Sequence, residues 1–200
     1  MLFAAADVID LESHRCPPAC PIPEPRLDAL IRFWKGPPNI LPSQGFFCRL
    51  GLLRSIGLFN ENYHYKMDFD VICRILESTA RERIARIDEV VAGYRIYEGT
   101  KTGMMSSRQA VEEGLDISRR YWNRLPEENR AEIAKEARQG AGFLAMCRAS
   151  NASEKKKYRI ALRELSLAWR TSPRLLVTRW NAHILSCLLG SLFVLEHQPK

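Results

Sequence analysis

Two carboxylates, Asp68 and Asp70, stand two residues apart at the head of an apolar run, in the stretch NYHYKMDFDVICRIL of residues 62–76. An ionised carboxylate held near a substrate hydroxyl and partly removed from water is a general base. The same acids in the first turn of a helix also satisfy free N–H groups and meet the positive end of the helix dipole, with no chemistry implied. His64, in the aromatic turn before the pair, is a candidate for lining a substrate pocket or for a packed turn side chain. Arg95 and Lys101 have the cationic groups suited to phosphate oxygens, or to plain solvation at a strand end. A further cluster, His14, Cys16 and Cys20 in HRCPPAC, has metal-ligating residue types. It lacks the second pair at close spacing that a zinc site uses, so no metal site is assigned to it.

The elements that must position these residues are legible from hydrophobic period. Residues 13–25 are rich in Pro and Cys and read as a loop. EPRLDALIRFW places Leu27, Leu30, Ile31 and Trp34 at helical spacing, and KGPPNILPSQG breaks that helix. FFCRLGLLRSIGLF reads as a strand end and a short helix closed near Gly57, followed by the turn NENYHY. Phe69, Ile72, Ile75 and Leu76 then form the apolar stripe of a helix opened by the acid pair. In residues 84–97, Val90, Ala92, Tyr94 and Ile96 alternate as a strand requires.

Beyond Gly103 the period changes. Residues 108–122, 127–147, 155–170 and 173–195 read as helices, with Pro126 and Pro173 in first-turn positions and Ser172 as an N-cap. In the third of these, Tyr158, Ala161, Leu162, Leu165 and Trp169 share one face. The expected fold is α+β and mostly helical: an incomplete α/β part over residues 1–103, then an all-helical region over residues 104–200.

Composition narrows the class. The 200 residues are 46% hydrophobic and 26% charged, which suits a globular chain and excludes a disordered one. The net charge of +7 is uneven: residues 1–100 carry 12 Lys+Arg and 13 Asp+Glu, residues 101–200 carry 18 and 10. Nine of those cations and only two acids fall within residues 148–179, beside a Leu-rich segment. That pattern suits peripheral contact with an anionic membrane, or a helical hairpin with solvated charges. The apolar run 182–195 is shorter than the roughly 20 residues that span a bilayer. MLFAAADVIDLE has no basic start and is not a secretory signal, and the six scattered cysteines are read as reduced. The expected location is the cytoplasm, with contact at the inner membrane face through the basic tail. Nucleic acid is not the expected partner.

Three blocks occur in order over residues 39–102: NILPSQGFFCRLGLLRSIG, GLFNENYHYKMDFDVICRIL and DEVVAGYRIYEGTKT. Together they resemble the acceptor-side portion of family 2 glycosyltransferases with the GT-A fold. The resemblance implies transfer of a sugar from a nucleotide sugar to a glycan or lipid-linked acceptor hydroxyl, with inversion. It assigns Asp68 as the general base and Asp70 as the second acid, and sets Arg95 and Lys101 beside the diphosphate, with His64 a candidate for lining the acceptor pocket. It also implies a divalent cation, Mg²⁺ or Mn²⁺. Three departures follow. The family's nucleotide-binding half, with its metal-holding Asp-x-Asp, has no counterpart in this sequence; Asp7, Asp10 and Glu12 stand in another context. Tyr97 occupies a position where the family often has a metal-binding His. Pro42, Gln44 and Gly45 replace Gln and Ser-Thr positions facing the acceptor. The expectation is a truncated transferase that is inactive alone. The alternative is a non-catalytic remnant acting as a helical interaction or membrane-surface module.

Overall fold

A computed structural model describes residues 1–15, 25–35, 43–95, 97 and 107–174. Among them the chain is mixed α and β, with a small mixed sheet and a larger helical content. The elements in order are β1 (Leu2–Ile9), α1 (Leu27–Leu30), β2 (Phe46–Phe47), α2 (Leu50–Ser55), α3 (Met67–Ser78), β3 (Ala85–Arg95), α4 (Arg108–Trp122), α5 (Glu127–Glu154) and α6 (Tyr158–Thr171), with three short 3₁₀ turns between them. The strand order is β2-β1-β3, antiparallel between β1 and β2 and parallel between β1 and β3. A parallel pair needs a long crossover, and α1, α2 and α3 lie in it.

The chain forms two compact units, divided within α5 between Arg130 and Ala131. The first contains the sheet, α1 to α3, and α4 from Gln109 onward. Its core joins Phe3 of β1, Leu30 and Ile31, Ile72 and Cys73 of α3, and Ile117 and Tyr121 of α4. Close approach of α4 requires Gly114, because a Cβ there would lie 2.6 Å from the Phe33 ring. The second unit pairs α5 with α6 through Ala145, Met146, Ala149, Ala161, Leu165 and Ala168. Small residues on both helices let the backbones approach.

Two sequence expectations meet corrections here. Strand β3 occupies the expected range, and Ala92 and Tyr94 are half-buried between exposed Val91 and Gly93 as alternation requires, but Val90, expected on their face, is 48% exposed. The register against β1 jumps from Phe3↔Arg86 to Ala5↔Val90 and again to Ala6↔Ala92, so β3 carries extra residues that β1 does not match. Such bulges break the two-residue alternation and turn Val90 outward. On α6, Leu162 points outward and Glu164 takes a core-facing place. The reason is Arg148 of α5, whose Nε meets Glu164 Oε2 at 2.9 Å, giving the buried carboxylate a partner. Pro126 sits just before α5, with its carbonyl accepting the Arg130 N–H. Ser172 ends α6, and its N–H donates to the Ala168 carbonyl. The readings that fall on Cys16, Cys20, Ile96, Lys101 and residues 175–195 lie outside the described residues.

Candidate functional site around Asp68 and Asp70

Helix α3 begins at Met67, so Asp68 and Asp70 both lie in its first turn. Their surroundings are opposite. Asp70 is fully buried. Its Oδ2 accepts from Arg74 Nε at 2.8 Å and lies 2.7 Å from Arg74 Nη2; its Oδ1 is bound by Arg120 Nη2 of α4. Both oxygens are therefore committed to guanidinium groups. Arg74 is itself shared: Nη1 donates to the Ile56 carbonyl and Nη2 to the Leu58 carbonyl at 2.7 Å. One arginine thus ties the GLF turn after α2 to the first turn of α3.

Asp68 is half-buried, and its Oδ1 accepts the N–H of Phe69 at 2.7 Å, the local role open to a first-turn acid. Among the described residues no cation forms an ion pair with it. Lys66, one position before the helix, is buried and feels the charges of Asp68 and Glu113. Burial nonetheless pushes its ammonium below the ordinary lysine value. Its Nζ stands 5.3 Å from the centre of the Phe33 ring. Phe33 packs edge-on against Phe69 and Trp34, and Trp34 against Trp122, so an aromatic cluster lies beneath this end of α3.

The preceding turn is held by a residue that the sequence reading did not single out. The Glu113 carboxylate of α4 accepts three consecutive backbone N–H groups, from His64 at 3.2 Å, Tyr65 at 2.7 Å and Lys66 at 3.0 Å, and a fourth donor, Gln109 Nε2, at 3.1 Å. Asp116 accepts from the Tyr63 hydroxyl at 2.6 Å. Burial and this bond push the Tyr63 phenol up to about 12. Arg120 lies over the Tyr63 ring as well as on Asp70, and Arg124 pairs with Glu77. Glu113, Asp116, Arg120 and Arg124 are spaced three, four and four residues apart, one face of a helix. The acid-then-base order of EEGLDISRRYWNR was visible and suits the helix dipole. Its partners, some fifty residues earlier in the chain, were not visible.

His64 is exposed; its ring stands edge-on to Tyr65 with centroids 4.8 Å apart. Arg95, at the end of β3, is committed to the loop after β1: Nη1 donates to the carbonyls of Asp10 at 2.6 Å and Leu11 at 2.5 Å, and Nη2 to Ser13 Oγ at 2.9 Å. The structure thus gathers Asp68, Asp70 and His64 at one helix end, and places Arg95 on a loop contact.

Asp70 is occupied by two cations, and Tyr97, 45% exposed, is a phenol, a poorer ligand for a hard divalent cation than carboxylate or imidazole. Asp10, Glu12 and His14 have ligand atoms within 4.8 Å of one another, but they lie at the surface. His14 Nδ1 there already bonds Asp10 Oδ2 at 3.2 Å. Gly45 has a steric cause: a Cβ there would lie 1.9 Å from the Ala4 carbonyl oxygen.

No family model matches the chain, and no curated protein or solved structure matches it.

Proposed function

We propose that this chain carries the acceptor-activating part of an inverting sugar transferase of the family 2 glycosyltransferase type, with Asp68 as the general base. The observation that supports this reading is the division of labour within one helical turn. Asp70 spends both oxygens on Arg74 and Arg120, whereas Asp68 keeps acceptor capacity and has no ion-pair partner among the described residues. An acceptor hydroxyl donating to Asp68 loses its proton to the carboxylate as its oxygen attacks the anomeric carbon. The bond to the nucleoside diphosphate breaks on the opposite face, so configuration inverts. Asp70 then has a positioning role, as the anchor of the turn. No step is assigned to a metal.

A second reading, a non-catalytic interaction module, is favoured by one observation: the Arg95 guanidinium is spent on Asp10, Leu11 and Ser13 rather than left for a diphosphate. Saturation-transfer NMR with a panel of oligosaccharides separates the two. The transferase reading expects signals from the wild-type chain that weaken in Asp68→Asn. Absent signals, or signals equal in both proteins, overturn it. Calorimetry with nucleotide sugars and Mn²⁺ or Mg²⁺ is expected to give no sub-millimolar binding to the chain alone.

A further inference from the structure

We propose that the outward face of α6 docks on the anionic surface of a phospholipid bilayer. Arg159, Arg163 and Arg170 stand four and seven residues apart, which sets them in one stripe along the helix. All three are exposed. Among the described residues neither Arg159 nor Arg170 has an acidic partner. Arg163 reaches Glu164 Oε1 only at 3.4 Å, and that carboxylate is already held by Arg148. Lys155, Lys156 and Lys157, in the turn before the helix, are exposed as well and extend the positive surface.

The arginine stripe has aliphatic shoulders. Ile160 on one side is 43% exposed and Leu162 on the other is 54% exposed. Among the described residues neither packs into the α5–α6 core, which joins the two helices through Ala161, Leu165 and Ala168 on the opposite face. Among the described residues no core cluster takes up these two aliphatic side chains. A bilayer interface does: guanidinium and ammonium groups pair with lipid phosphates while Ile160 and Leu162 enter the boundary between headgroups and acyl chains. Single-stranded nucleic acid would instead favour exposed aromatic rings for stacking. The two aromatic residues of α6, Tyr158 and Trp169, are turned toward the α5–α6 core. No helix of the described residues is long and apolar enough to cross a membrane. The surface is independent of the chemistry assigned to Asp68.

Co-sedimentation of the full chain tests this, with vesicles of phosphatidylcholine alone and of phosphatidylcholine with phosphatidylglycerol. Binding is expected only to the anionic vesicles, and is lost at roughly 0.5 M salt as the charges are screened. Arg159→Glu with Arg170→Glu is expected to lower partitioning at least about tenfold. An unchanged circular dichroism melt shows that the fold is kept; if that pair unfolds the chain, Arg159→Gln with Arg170→Gln is the substitute. Ile160→Ser with Leu162→Ser is expected to weaken binding several-fold on its own. Equal binding to neutral and anionic vesicles overturns the proposal. So does binding that survives the arginine substitutions, or a preference for a DNA oligonucleotide over the anionic vesicles.

Discussion

Asp68→Asn and Asp70→Asn are nearly the same chemical change, made two residues apart, and the structure gives them different consequences. At Asp70 the carboxylate is fully buried and bound by Arg74 and Arg120. Removing one charge from a buried pair costs about 3–5 kcal/mol when the other charge is stranded. Here the stranding is partial. Arg74 keeps the carbonyls of Ile56 and Leu58, and the Arg120 side chain is 39% exposed and can turn to water. The expected cost is therefore about 2–3 kcal/mol. At Asp68 the substitution removes one charge from a helix N-terminus and one local acceptor, worth about 0.3–1 kcal/mol. At about 3–5 °C per kcal/mol for a unit of this size, Asp70→Asn lowers the melting temperature by about 6–15 °C and Asp68→Asn by no more than about 5 °C. Near-UV circular dichroism follows the melt through the packed Trp34–Trp122 pair together with Trp169 of the second unit. Asp68→Asn should also reduce oligosaccharide signals while the fold persists. Equal losses of stability at the two positions, or a larger loss at Asp68, would refute the separation of anchor from base.

Glu113→Gln leaves three backbone N–H groups facing an amide that has one acceptor oxygen, and should destabilise the first unit by about 2–4 kcal/mol. Amide exchange at His64, Tyr65 and Lys66 should accelerate ahead of the α3 interior, and uniform acceleration across α3 would count against the clamp. Lys66→Met tests the buried amine through pH. The folded pKa of Lys66 lies below the unfolded value, so between the two the unfolded chain binds more protons and stability rises with pH. Wild-type urea midpoints should climb as pH approaches the ordinary lysine value, and Lys66→Met should lack that climb; parallel pH curves would exclude it.

The helices were legible because their apolar residues recur at helical spacing: residues 108–122 and 155–170 match α4 (Arg108–Trp122) and α6 (Tyr158–Thr171) closely. Helix α5 runs on to Glu154, past the expected end at 147, because Ala149, Ala152 and Ser153 are buried in its own unit, a tertiary effect that no local period reveals. The central strand β1 escaped notice for a similar reason. Ala4, Ala5 and Ala6 have little strand preference, and pairing with β2 and β3 imposes the conformation. Within the site, the acid pair was visible as a motif. Which acid is bound and which is open was not, since Arg120 and Glu113 arrive from a helix about fifty residues further on.

That assignment follows from how α3 is turned about its axis. Residues two apart on an α-helix point about 200° away from each other. Asp70 is drawn inward by Arg74 from its own helix and by Arg120 from α4. With Asp70 inward, Asp68 must face the other way, which agrees with its partial exposure. Glu113 fixes the other end of the same lever by holding the N–H groups of residues 64–66, so the turn cannot rotate to compensate. An acid–aromatic–acid helix start then has a physical division of roles: the second acid sets the roll of the helix, Phe69 between them packs on Phe33, and the first acid is presented outward. The orientation of Asp68 thus depends on residues that never touch it, and α4 belongs to the site as much as the helix that carries the acids.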